Sequence, residues 1–145
     1  MKVDEDERND PPAQVVGVVM TEKTVLLPGP RHPITVEPAR VRVLVRVGGQ
    51  VVADSTSALT LREADYPAVH YIPREDVDLS LLVPTRHTSY CPFKGEASYF
   101  DIPSAGEAGI NAVWSYERPY DAVTEIAGHL AFYPNRAASL EEFPL

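Results

Sequence analysis

The stretch ARVRVLVRVGGQVVADS constrains this chain more than any other. Val41, Val43, Val45 and Val47 alternate with Arg40, Arg42, Leu44 and Arg46. Alternation with a period of two sends successive side chains to opposite faces, so the segment reads as a strand with one buried face. Gly48-Gly49 supplies the positive φ angles of a two-residue hairpin turn, and QVVADS returns antiparallel. Long helices are disfavoured elsewhere. Fourteen prolines are spread along 145 residues, and each removes a backbone donor and clashes with the preceding turn.

The remaining segments fit the same pattern. AVHYIP reads as a short strand ended by proline, with Val69 and Tyr71 on one face and His70 on the other. SALTLREADYP fits a strand or a loop, and REDVDLSLLVPT one helical turn or an irregular crossover. HTSYC and GEASYFDI pair around CPFKG, where Pro92 has its φ preset for a turn and Gly95 can take a left-handed conformation. NAVWSY places Trp114 and Tyr116 together. RPYDAVTEIAG suggests a short helix stopped by Gly128, and HLAFYP a last strand. The expected fold is mainly β: a small antiparallel barrel or a two-sheet β domain with one or two short helices.

The expected organisation is an acidic, solvated tail over 1–12, an extension over 13–31 that could supply an extra strand, a β domain over 32–137 and a C-terminal tail over 138–145. The tail carries five acids, two bases and a double proline, too little apolar surface to order itself. With a net charge of −8 and its bases scattered singly, the chain has no nucleic-acid footprint. No apolar run approaches the ~20 residues that span a bilayer. The start lacks the basic-then-apolar order of a signal peptide. A single cysteine forms no internal disulfide, so a reducing, cytoplasmic location is expected. Arginine outnumbers lysine ten to three, a composition that hints at a GC-rich bacterial genome.

The ordered series HPITVEP, RVRV, VADS, YIPREDV, CPFKGEASYF, AVWSY and GHLAFYP resembles the domain of unknown function 427 family. The resemblance covers about residues 32–136. It rests most heavily on the Cys-Pro-x-Lys-Gly run, the tryptophan-centred strand and the final Gly-x-x-Ala-Phe-Tyr strand. The matching positions are Tyr71, Pro73, Asp76, Cys91, Lys94, Gly95, Tyr99, Trp114, Tyr116, Phe132 and Tyr133. What the resemblance implies is a small β-rich bacterial or fungal protein with no established activity.

The chemical candidates come from the same stretches. Cys91 becomes a nucleophile if a neighbouring ammonium such as Lys94 lowers its pKa, and is otherwise a small space-filling hydrophobe. His87 and Cys91 lie four apart on a strand, roughly 13 Å and too far to share one ion. His32, His70 and His129 lack zinc-like spacing. No metal or other cofactor is therefore expected. Asp76-Val77-Asp78 is compatible with a magnesium-binding carboxylate pair of a nucleotidyltransferase-like protein, or with helix capping. Arg42, with Arg40 and Arg46, could grip an anion, or simply form a solvated sheet face. Tyr71, Tyr99, Trp114 and Tyr133 combine apolar bodies with polar tips, as small-ligand pockets do.

Two functional classes follow. In the first, a small molecule binds an aromatic-lined pocket of Tyr71, Tyr99, Trp114, Arg42 and Tyr133. Lys94, Tyr116 and Cys91 are the catalytic candidates there, and acid–base work by Tyr or Lys is favoured, as in a tailoring enzyme of secondary metabolism. In the second, the same aromatics merely pack, and the protein is a non-catalytic interaction or structural module, such as a homodimer.

Overall fold

The computed structural model describes residues 23–134 and 138–145. Ten strands follow the chain: β1 (Ile34–Pro38), β2 (Val41–Val47), β3 (Gln50–Ser55), β4 (Leu59–Glu63), β5 (Val69–Tyr71), β6 (Val83–Cys91), β7 (Gly95–Asp101), β8 (Val113–Ser115), β9 (Ala131–Phe132) and β10 (Ser139–Pro144). Strands hold 50% of the described residues and helical turns 16%, so the fold is mainly β.

The valine–arginine strand behaves as its alternation demands. β2 pairs with β3 across the glycine turn, with Val47 opposite Gln50 and Gly48 at a φ of 62°. Val43, Val45 and Val47 are buried. Leu44 is buried as well, because β10 covers the other edge of β2 and sets Glu141 opposite it. The register shifts between Val45 and Arg46, the mark of a bulge that bends the strand.

Three antiparallel sheets result among the described residues, in the orders β1-β4-β5, β10-β2-β3 and β6-β7-β8-β9. Among the described residues none closes on itself, so the barrel alternative gives way to packed open sheets. Two of the sheets touch edge to edge. Ile72, just past β5, and Leu130, just before β9, exchange both main-chain hydrogen bonds at 2.8 Å. Only that one rung forms between the two edges.

The short helix expected before Gly128 forms as a 3-10 helix rather than an α-helix. Asp121–Ile126 forms 3-10 turns broken at Val123, whose φ and ψ are −132° and 31°. Pro119 and Gly128 bracket a span too short to sustain an α-helical ladder. SALTLREADYP resolves as β4, and REDVDLSLLVPT as two 3-10 turns, Arg74–Asp76 and Leu79–Leu81. The last strand is β10 rather than HLAFYP, of which only Ala131 and Phe132 are strand. The segment over 1–12 and most of the expected extra strand over 13–31 lie outside the described residues. In the described part, Leu26 donates its main-chain N–H to Pro92 at 2.9 Å.

The interior divides in two. One cluster, with Val43, Val45, Val113, Ile72 and Leu130, lies against the β2–β3 hairpin. The other gathers Leu61, Tyr71, Tyr99, Tyr116, Val123 and Ile126. Burying each large aliphatic contributes about 1.5–3 kcal/mol. No helix among the described residues is long and apolar enough to cross a membrane.

Candidate functional site

The CPFKG hairpin builds one end of a cleft. Cys91 pairs with Gly95, leaving Pro92, Phe93 and Lys94 as a three-residue loop closed by the Lys94 N–H on the Cys91 carbonyl at 3.2 Å. Gly95 has a φ of +107°, which a side-chain-bearing residue rarely adopts. This loop turns Lys94 inward. Its side chain is 10% exposed and bonds Glu63, at 12% exposed, from the end of β4. Glu63 also binds His32 at 2.7 Å, whose ring stacks on Phe93 with centroids 3.9 Å apart. Burial alone would push the Glu63 carboxyl up. The hydrogen bonds from Lys94 and His32, with their positive charge, outweigh it and hold the carboxyl below its ordinary value.

Aromatic side chains form the walls. Strand alternation aims Tyr71 from β5 and Tyr99 from β7 into the second core cluster, with Tyr116 just beyond β8. Trp114 donates its indole N–H to the Tyr71 hydroxyl at 3.2 Å and packs against Tyr133 at 4.4 Å between centroids. The Lys94 ammonium lies 5.9 Å from the Tyr116 ring centroid. Together these enclose an open cleft of about 1070 Å³, lined also by Val69, Phe132 and Leu140. That volume is at the upper end of small-molecule sites.

Two phenols in this cleft keep their protons. Burial, foremost, drives both Tyr71 and Tyr116 well above the ordinary tyrosine value, and nearby acidic groups and phenols add to it. Tryptophan only donates, so the Tyr71 oxygen is the acceptor in their bond and its own proton stays uncommitted. The Tyr116 hydroxyl has no hydrogen-bond partner among the described residues. A neutral phenol with a free O–H, beside an ammonium, is a donor to an oxygen.

Of the residues the sequence singles out, Lys94, Tyr116, Tyr71, Tyr99, Trp114 and Tyr133 all line this cleft, and Arg42 and Cys91 do not. Arg42 lies on an exposed sheet face, where Asp54 takes it in two hydrogen bonds of 2.7 and 2.8 Å. Arg46 is likewise paired, with Glu141. Cys91 is half-buried and packs beside the second core cluster. Asp76 accepts from Ser55 at 2.7 Å, and Asp78 caps the turn at Ser80. Local bonds therefore account for both aspartates. Among the described residues no group of three or more His, Cys, Asp or Glu side chains is placed to hold a metal ion.

Sequence reasoning missed a second polar set on the cleft. Thr60 on β4 and His70 on β5 are opposite each other, with Oγ1 to Nδ1 at 3.0 Å. The other ring nitrogen meets Glu142 of β10 at 2.7 Å. Alternation places this set on the face of β4–β5 opposite Leu61 and Tyr71, and residues of both faces line the cleft. Spacings of 10 and 72 residues carry no motif, so only the strand register could reveal it.

A family model described as a domain of unknown function, DUF427, matches residues 35–142. The chain belongs to the DUF427 family. No curated protein matches it. The match runs from β1 into β10, so every residue lining the cleft belongs to the family domain.

Proposed function

We propose that this DUF427 domain binds a small planar molecule carrying an acceptor oxygen, a carbonyl or its enolate. The ring lies along Trp114 and Tyr133, and the oxygen meets Tyr71, Tyr116 and Lys94. The observation that carries the reading is the pair of buried phenols with uncommitted protons beside an ion-paired lysine, in one cleft. Such donors strengthen as charge builds on a bound oxygen, because they are already oriented and shielded from water. Of the acid–base roles open to Tyr and Lys, the donor half is the one this arrangement supports: a neutral tyrosine gives a proton or a hydrogen bond, and Lys94 is engaged in its ion pair with Glu63.

The chain's single tryptophan reports on the site directly. Titration with a panel of aryl ketones and phenols should quench Trp114 fluorescence saturably and raise the melting temperature. Replacing Tyr116 by Phe should weaken binding about tenfold, the worth of one hydrogen bond near 1.4 kcal/mol. If no compound quenches Trp114 or shifts the melt, and nothing co-purifies in native mass spectrometry, the aromatics are packing alone and the interaction-module reading takes over.

A further inference from the structure

We propose that Thr60, His70 and Glu142 form a nucleophile–base–carboxylate relay for acyl transfer, acting on esters or thioesters whose acyl or leaving group is aromatic. The polarity follows from the partners. A carboxylate only accepts, so the His70 Nε2 facing Glu142 at 2.7 Å carries a hydrogen. In the neutral ring Nδ1 is then the acceptor, and the Thr60 hydroxyl 3.0 Å away donates to it. That is the arrangement that activates a hydroxyl nucleophile, recognised by geometry rather than by chain order.

The neighbouring strand edge adds main-chain donors to the same cleft. Ile72 and Leu130 form one complete rung between β5 and β9. The next rung of an antiparallel ladder would join His70 to Phe132, and it is not formed. By strand alternation the main-chain N–H groups of both residues point into the gap where the edges part. His70 and Phe132 line the same cleft as Thr60 and Glu142. These donors lie on the side of β5 away from Thr60, so they suit a second polar group of a bound ester rather than the oxygen on the carbon that Thr60 attacks.

The step balances within the chain. Thr60 Oγ1 bonds to the acyl carbon while its proton passes to His70 Nδ1, and Glu142 stabilises the imidazolium. The carbon–oxygen or carbon–sulfur bond to the leaving group breaks, and that group takes the proton from His70. Water, deprotonated by His70, then attacks the acyl carbon; the bond to Thr60 Oγ1 breaks, that oxygen takes the proton back from His70, and the carboxylic acid leaves. The aromatic preference rests on the ring-binding reading above; the relay does not.

Diisopropyl fluorophosphate, which has no ring, tests the relay apart from the aromatic wall. The full-length protein carrying Cys91→Ser should gain one covalent adduct by intact mass, mapped by peptide sequencing to Thr60. Thr60→Val should abolish it, and Thr60→Ser, which restores a hydroxyl, should bring it back. Glu142→Gln should slow labelling about 100-fold, the scale of lost acid–base assistance, and change its pH profile; a merely structural Glu142 would move neither. Labelling with p-nitrophenyl acetate should follow the same order and also weaken in Trp114→Ala. If only that last weakening is absent, the aromatic preference fails and the relay stands. No adduct on a folded Thr60 protein, or an adduct that persists in Thr60→Val, overturns the relay and leaves Thr60–His70–Glu142 as a cross-strand tie.

Discussion

Lys94 and Glu63 meet as an ion pair with both side chains nearly buried, joining the β6–β7 turn to the end of β4, 31 residues earlier in the chain. Removing one partner from such a pair strands the other charge in the interior, at a cost near 3–5 kcal/mol. His32 remains bonded to Glu63, so Lys94→Met should cost about 3 kcal/mol, the low end of that range. The double variant Lys94→Met/Glu63→Leu should recover most of the loss. Urea unfolding of the wild type, both singles and the double gives the coupling directly; additive singles would show that the pair holds nothing together.

The same carboxylate predicts a pH dependence. Glu63 sits below its ordinary value of 4.5 in the folded chain. Its contribution is therefore complete above that value and is lost as pH falls through the lower, folded one. Stability should drop on acidification below about pH 4.5, and Glu63→Gln should flatten that limb while lowering stability at pH 7. Asp54 is also held low, chiefly by its hydrogen bond from Arg42, but that pair is exposed and should fade with salt. Melting curves between pH 3 and 7 at low and high salt separate the two. An acid limb unchanged by Glu63→Gln would count against the assignment.

The two phenols should respond differently to loss of their hydroxyls. Tyr116 has no hydrogen-bond partner among the described residues, so Tyr116→Phe should alter stability by less than about 0.5 kcal/mol. Tyr71 accepts from the Trp114 indole, so Tyr71→Phe leaves that N–H unsatisfied and should cost about 1–3 kcal/mol. Thermal melts of the two single variants test the contrast. Equal losses would mean that Tyr116 has a partner in solution.

Much of this arrangement was readable from the chain because it depends on alternation. The valines of β2, the parity of Ala97 with Tyr99, and the pairing of Trp114 with Tyr116 all follow from period two and short turns, and they bring the aromatics together. What escaped depends on register between distant strands. Glu63 could be placed opposite Lys94 only once β4 was known to end beside the β6–β7 turn, and Glu142 opposite His70 only once β10 existed. SLEEFP has neither alternation nor β-branched residues and reads as a tail. It becomes a strand because β2 presents an open edge, so tertiary pairing overrides local preference. Arg42 misled for the converse reason: the strand was right, but its partner Asp54 sits across the hairpin and takes up the charge that a ligand would need.

The late strand carries its own prediction. β10 pairs with six residues of β2, from Val41 to Arg46, and covers an edge that would otherwise offer unpaired N–H and C=O groups beside apolar valines. Exposed edges of that kind recruit other chains. A protein ending at residue 138 should unfold at lower denaturant and self-associate on concentration, as size-exclusion chromatography with light scattering would show. The point variant Leu140→Asp keeps the backbone pairing while placing a charge against the β2 core cluster, and should weaken the strand without shortening the chain. If truncation leaves a stable monomer, then β10 is a decoration on a domain that closes without it. Glu142 would then be too loosely held to orient His70.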